Sequence, residues 1–133
     1  MRRSWALFGL LFTVGCSAFG WGGRELKPGS DAAAWVEPDQ RTVLISTLGG
    51  ACEESAKVKV QETSETVEIR VTVRSSDGPC VMVGIPRAYK VVLREALGSR
   101  KLVGGDAVEY PRAEQRPVEG SAEYKIPVEV EYD

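Results

Sequence analysis

The stretch of sequence that decides the fold is residues 57–74, which read KVKVQETSETVEIRVTVR. Apolar residues alternate with polar ones on both sides of the short polar segment 63–65. A period of two places the valines and the isoleucine on one face of a β-strand, whereas a helix would scatter them around its circumference. The stretch therefore predicts a β-hairpin with one buried and one solvated face.

Further strand patterns lie on both sides of this hairpin. Residues 41–47 are rich in β-branched side chains, and residues 80–85 and 88–94 form two more apolar stretches, which Gly84 and Pro86 are expected to separate. No segment shows the apolar spacing of an amphipathic helix for more than a turn or two. The fold class is therefore all-β, most simply a small antiparallel β-sandwich.

A glycine-containing turn follows the last of these strands and supplies the candidate partner contacts. Residues 97–106 are expected to form a tight hairpin in which Gly98 adopts a positive φ. Arg100 and Lys101 project from this turn, where side chains are free to meet a partner. The other interpretation of Arg100 is structural, a tie from its guanidinium to Asp106 or to backbone carbonyl groups.

The N-terminal segment predicts export. Residues 1–15 combine two arginines with an apolar run of signal-peptide length. Residues 13–16, Thr-Val-Gly-Cys, resemble a bacterial lipobox, which predicts cleavage before Cys16, lipidation of that cysteine and anchoring at the outer face of the cell membrane. Cleavage after Ala18 or Gly20 would instead give a secreted protein, and an uncleaved anchor is the third alternative.

The rest of the chain divides into three expected regions. Residues 16–34 are rich in glycine and alanine without a period, which predicts a flexible tether behind the lipidated cysteine. Residues 35–110 are expected to form the sandwich domain. Residues 111–133 are expected to be a loop with an edge strand near the C-terminus, where Pro127 suits an edge and not a central position.

Two of the three cysteines are expected to form a structural disulfide. Export places Cys52 and Cys80 in an oxidising compartment, and no CxxC spacing suggests a redox pair. The bridge would close a loop of about 28 residues and contribute roughly 3.5 kcal/mol in the loop-entropy model. Cys16 is then the odd cysteine, which lipidation accounts for. No tryptophan lies between the paired cysteines, so the sandwich is immunoglobulin-like in architecture only.

Composition excludes several classes of function. The 133 residues include no histidine, which removes Ser-His-Asp and Cys-His catalysis and histidine-ligated zinc. A net charge of −2 gives no electrostatic reason to bind nucleic acid. The glycine pairs Gly22-Gly23 and Gly104-Gly105 are not followed by the residues of a phosphate loop. We therefore expect no catalytic residues, no cofactor and no metal site.

The remaining candidates for chemistry have simpler explanations. The adjacent carboxylates Glu53 and Glu54 are expected to be solvated rather than to act as an acid–base pair. Trp35 and Tyr89 would either form a carbohydrate-stacking surface or cap the core. The C-terminal carboxylates lack the twelve-residue loop of a calcium site and are expected to be a solvated tail; they are Glu123, Glu129, Glu131 and Asp133.

The order of these features resembles a group of small exported lipoproteins of high-GC Gram-positive bacteria. The resemblance covers about residues 42–106: a first cysteine, the hairpin, a second cysteine and the V-x-L-x-x-x-L-G-x-R pattern that ends at Arg100. Eleven arginines against six lysines agree with a GC-rich genome. The resemblance implies a location and a fold but no activity.

The function expected from the sequence is that of a non-enzymatic lipoprotein of the cell envelope. It would bind a partner protein or a cell-wall polymer, or play a structural role, with a lipid anchor in the membrane and no nucleic-acid partner. A small secreted hydrolase or inhibitor-like module that acts in solution is the alternative.

Overall fold

The structure is a computed structural model, and it describes residues 23–76, 80, 84–118 and 125–133. These residues contain eight strands and one short 3-10 helix, Gly105–Ala107. In chain order the strands are β1 (Arg24–Glu25), β2 (Ala32–Val36), β3 (Thr42–Gly49), β4 (Glu53–Glu62), β5 (Thr66–Ser75), β6 (Ile85–Val92), β7 (Lys101–Val103) and β8 (Val128–Tyr132).

The strands form two sheets that pack face to face as a β-sandwich, which confirms the predicted class. The five-stranded sheet has the order β1-β5-β4-β8, with β7 also paired to β5. The three-stranded sheet has the order β2-β3-β6. Most pairs are antiparallel, but β8 runs parallel to β4 and β7 runs parallel to β5.

The predicted hairpin is the centre of the five-stranded sheet. β4 and β5 pair in register with Val58 opposite Val71 and Val60 opposite Ile69, and all four side chains are buried in the core. Each fully buried side chain of this size contributes roughly 1.5–3 kcal/mol through the hydrophobic effect. From the three-stranded sheet, Val43, Ile45, Tyr89 and Val91 complete the same core.

The predicted tether is wrong from residue 24 onward, because β1 and most of β2 lie within it. Ala32 and Ala34 of β2 are buried against the core, as is Leu26 between the two strands. Alanine adds little to a hydrophobic pattern, so the strand is hard to recognise in the sequence. The sandwich therefore begins before residue 35, while the predicted signal peptide and Cys16 lie outside the described residues.

β6 continues through Pro86, where the sequence predicted a break. The backbone N–H of Leu93 donates to the carbonyl of Arg41 at 2.7 Å, which fixes which residues of β6 bond to β3. Along a strand, successive residues direct their backbone N–H and C=O groups to opposite sides. The backbone nitrogen of Pro86 therefore points away from β3. Its missing N–H therefore costs no ladder hydrogen bond, as is usual for proline in an edge strand. The start of the other predicted strand, residues 81–83, lies outside the described part.

The predicted hairpin over residues 97–106 is also wrong, although its turn is correct. Gly98 has φ +57°, the positive value that the turn requires. The chain then leaves the three-stranded sheet, and β7 pairs in parallel with β5 of the other sheet instead of folding back on β6. The turn is thus a crossing between the two sheets.

The C-terminal region contains the expected edge strand. β8 pairs only with β4 and lies at the end of the five-stranded sheet. Nearer its start, this C-terminal region also contacts the three-stranded sheet, where Arg112 forms a parallel bridge to Ala34 of β2.

Candidate binding surface

The outer faces of the two sheets differ sharply in chemistry. On the five-stranded sheet the outer face is charged and internally paired. Lys57 contacts Glu131 at 2.9 Å, and Arg70 contacts Glu25 at 2.8 Å. The hydrogen bond from Arg70 holds the pKa of Glu25 below its usual value. This is the ordinary solvated surface of a soluble sheet.

The outer face of the three-stranded sheet is largely apolar. Val43 and Ile45 of β3 enter the core, so the alternate residues of β3 and their register partners point outward. Leu48 is 68% exposed and Val92 is 45% exposed. We call this surface the apolar face; it consists of Trp35, Leu44, Leu48, Pro86, Ala88 and Val92, of which Leu44 is only 4% exposed.

One charged row crosses the apolar face. Lys90 lies in register with Leu44, which in turn lies in register with Trp35. Lys90 is exposed, and none of the described carboxylates lies within ion-pair distance of it. In this row the Lys90 ammonium group is exposed, Trp35 is half-buried and Leu44 is buried.

Two adjoining depressions border this row. The first, about 440 Å³, is lined by polar residues around Lys90, among them Glu37, Asp39 and Arg116. The second, about 400 Å³, lies between Leu44 and the segment Arg116–Val118. Both are open and shallow, a shape that suits a macromolecular surface better than an enclosed small ligand.

The acidic residues of the first depression are already used by the fold. Glu37 accepts a hydrogen bond from Arg116 Nε at 2.6 Å. Asp39 accepts hydrogen bonds from the backbone N–H groups of Thr42 and Arg41 and from the Thr42 hydroxyl, and these bonds lower the pKa of its carboxyl. Asp39 thus closes the turn between β2 and β3, and Lys90 remains the available charge.

Arg100, the candidate contact singled out in the sequence, is bound into the fold. Its guanidinium donates to Glu62 Oε1 at 3.1 Å and to the carbonyl groups of Thr63, Glu95, Ala96 and Leu97. Its side chain is only 11% exposed. The structural interpretation is therefore the right one, with Glu62 in place of Asp106, and the candidate partner contact at Arg100 is wrong. Lys101 is exposed at the start of β7, away from the apolar face.

Glu53 forms a second structural ion pair, which the sequence did not indicate. Its carboxylate is paired with Arg87 Nη1, and Arg87 Nη1 also donates to the carbonyl of Gly50 at 3.0 Å. Both side chains are largely buried, so the expected solvated carboxylate is wrong for Glu53, although Glu54 is exposed. The inward position of Arg87 in the alternation of β6 was the available signal.

The two aromatic candidates, Trp35 and Tyr89, pack into the protein and do not form an exposed stacking surface. Tyr89 is buried in the core, where desolvation, and next the charge of Glu53, raise the pKa of its phenol to about 12. Trp35 is half-buried, and its Nε1 is shielded from solvent without a hydrogen-bond partner in the described structure. A sugar would therefore find neither hydroxyl nor indole N–H available.

The predicted disulfide is present. Cys52 and Cys80 are bonded, with their Cα atoms 5.8 Å apart. The bridge lies beside the Glu53–Arg87 tie, at the end of the sandwich where β4 begins.

The described residues contain no cluster of histidine, cysteine or carboxylate side chains that could hold a metal ion. Of the C-terminal carboxylates, Glu131 is paired with Lys57, and Glu123 lies outside the described residues. No helix in residues 23–76, 80, 84–118 and 125–133 is long and apolar enough to cross a membrane. The chain matches no protein-family model, no curated protein and no solved structure.

Proposed function

We propose that the chain is an exported, non-enzymatic binding module that is anchored to the outer face of the cell membrane through Cys16 and captures a partner protein on the apolar face. The observation that carries the proposal is the contrast between the two sheets. One outer face is charged and carries ion pairs, while the other exposes Leu48 and Val92 beside Lys90, which pairs with none of the described carboxylates.

An apolar surface in contact with water is unfavourable by roughly 25 cal/mol for each Å², so a free domain gains by covering it. Interfaces of this type join an apolar centre to a polar rim. Here the rim is formed by Glu37, Asp39, Lys90 and Arg116. A protein partner fits this surface better than a wall polymer does, because the Trp35 N–H is shielded from solvent and cannot reach sugar hydroxyls.

Several residues support a binding role over a catalytic one. The chain contains no histidine, and Glu53 and Arg100 are held in structural ion pairs. The disulfide supports export, since such bridges persist in oxidising compartments.

Anchoring is tested by mass spectrometry of the mature N-terminus. The proposal predicts an acylated Cys16 as the first residue. A water-soluble product that begins at Phe19 or Trp21 would contradict the anchor and leave a secreted binding module.

Binding is tested by site-specific photo-crosslinking in the cells that produce the protein. Benzoylphenylalanine is placed at Leu48 or Val92 on the apolar face, and at Lys59 or Gln61 on the charged face as matched exposed controls. The proposal predicts an adduct with another protein from the first pair only. Adducts with a glycan, with a second copy of the chain, or from both faces equally would contradict it.

A further inference from the structure

The two edges of the three-stranded sheet differ in the hydrogen bonding of their backbone groups. At the β2 edge the N–H of Ala34 donates to the carbonyl of Pro111 at 2.9 Å, and the N–H of Ala113 donates to the carbonyl of Ala34 at 2.8 Å. This side of the sheet is therefore closed by the chain itself.

The β6 edge has no such cover among the described residues. The hydrogen bond from Leu93 to Arg41 sets the ladder so that residues 85, 87, 89 and 91 bond to β3. The backbone N–H and C=O groups of Ala88, Lys90 and Val92 consequently point away from the sheet. Pro86 lacks an N–H and ends this row, so the unpaired stretch runs from Ala88 to Val92.

The positively charged side chains beside this edge favour a negatively charged partner. Lys90 is exposed at the middle of the unpaired stretch. Arg94 lies two residues beyond the end of β6, with its guanidinium 5.9 Å from the centre of the Tyr132 ring. A second copy of β6 would bring like charges together. An acidic strand would instead place a carboxylate next to Lys90.

We infer that the β6 edge accepts an extended acidic segment of the partner protein, which adds antiparallel to β6 as a fourth strand. This inference rests on the proposed function and specifies how the partner docks. Backbone hydrogen bonds to Ala88, Lys90 and Val92 hold the segment, and its acidic side chain pairs with Lys90. Its side chains opposite Tyr89 and Val91 point to the inner side of the sheet, and the acidic side chain points outward beside Lys90.

Lysine and proline on an edge strand also serve to prevent unwanted pairing between sheets. The test must separate that role from docking. The probe is a synthetic peptide, acetyl-Thr-Val-Glu-Val-Thr-amide, titrated into the isotopically labelled full chain and followed by the amide NMR signals of β6. The inference predicts shifts centred on Ala88, Lys90 and Val92.

Two peptide variants test the strand geometry. The glutamate opposite Lys90 points its own N–H toward β6, whereas the flanking valines point theirs away. Methylation of the glutamate nitrogen should abolish binding, and methylation of the valine nitrogens should preserve it. Equal effects of both modifications would overturn strand addition.

A charge exchange tests the role of Lys90. Lys90→Glu should weaken binding of the acidic peptide several-fold and favour the same peptide with lysine in place of glutamate. Lys59→Glu on the charged face is the matched control and should change neither affinity. Loss of preference without reversal would contradict a direct pairing.

The remaining outcomes also decide the matter. If Lys90→Ala causes self-association in sedimentation while no peptide binds, Lys90 only protects the edge and the inference is wrong. If no peptide binds but Leu48 and Val92 still crosslink to a protein, the proposed function survives without this docking mode. If neither occurs, both fail.

Discussion

Arg87 of β6 joins Glu53 of β4 across the two sheets and holds the carbonyl of Gly50 with the same Nη1 atom. Glu53 in turn accepts a hydrogen bond from the N–H of Gly50 at 3.1 Å. One ion pair thus fixes both the packing of the sheets and the turn between β3 and β4. Because the pair is largely buried, removing either partner would leave an uncompensated charge.

Because of this ion pair, a side chain at Gly49 should destabilise the fold, whereas one at Gly50 should not. A Cβ at Gly49 would collide with Arg87 Nη1 and with the carboxylate of Glu53, whereas a Cβ at Gly50 would meet no atom within 4 Å. Gly49→Ala should therefore lower the free energy of unfolding by about 2 kcal/mol. Gly50→Ala is the control and should change it by less than about 0.5 kcal/mol. Urea unfolding of the two variants checks this, and equal stabilities would contradict the tie.

Arg100 should matter for stability and Lys101 should not. The guanidinium of Arg100 and the carboxylate of Glu62 are only 11% and 12% exposed, and Arg100 also satisfies four carbonyl groups. Arg100→Ala should lower the free energy of unfolding by about 2–4 kcal/mol, while Lys101→Ala should stay within about 0.5 kcal/mol. Thermal unfolding of both variants measures the difference. A stable Arg100→Ala protein would restore that arginine as a candidate surface contact.

Loss of the hydroxyl should change the free energy of unfolding differently at the two buried tyrosines, Tyr110 and Tyr89. Tyr110 donates to the carbonyl of Ile69 at 2.6 Å, whereas the Tyr89 hydroxyl has no hydrogen-bond partner in the described part of the chain. Tyr110→Phe should cost about 1–2 kcal/mol because it leaves a buried carbonyl unpaired. Tyr89→Phe should be neutral or stabilising, since it removes only a desolvated polar group. A larger loss for Tyr89→Phe in chemical denaturation would show that its hydroxyl is bonded.

Stability should fall in acid through Glu62. Burial opposes its ionisation, but hydrogen bonds from the Arg94 N–H, the Arg100 guanidinium and the Glu95 N–H outweigh burial and hold the pKa of Glu62 below its ordinary 4.5. A lowered folded-state pKa gives stability that is present above the unfolded value and is lost as pH falls through the folded one. Unfolding free energies measured from about pH 5 to about pH 3 should therefore decrease. Glu62→Gln should flatten this slope, and an unchanged slope would contradict the assignment.

The hairpin was predictable because the apolar or polar character of each residue indicates, without reference to the rest of the fold, whether its side chain is buried. In residues 57–74 the alternation of valine with charged side chains admits only one register, since a slip by one residue would bury the charges. The disulfide was predicted from the number of cysteines together with the expected export of the chain, and the bridge is present. These signals are local, and the structure agrees with them.

The missed elements depend on contacts distant in sequence. β2 contains three alanines and shows little hydrophobic pattern, and the burial of Ala32 and Ala34 follows from their packing in the core between the two sheets. β7 pairs in parallel with β5, a partner some 35 positions earlier in the sequence, and no turn residue signals this. The apolar face was hidden for a related reason. Residues 43–45 are apolar on both sides of the strand, a pattern typical of a fully buried strand. Among the described residues, the exposure of Leu48 and Val92 on the outer side becomes visible only in the assembled sheet.

Oxidative footprinting of the protein in intact envelopes, compared with the purified free chain, tests the central claim most directly. Hydroxyl radicals modify exposed side chains, and mass spectrometry locates the modification. We expect Leu48 and Val92 to lose most of their reactivity in the envelope, while Val108, which is 48% exposed outside the apolar face, keeps its reactivity. Unchanged reactivity at Leu48 and Val92, or protection confined to Val108, would contradict a partner-binding surface on the three-stranded sheet.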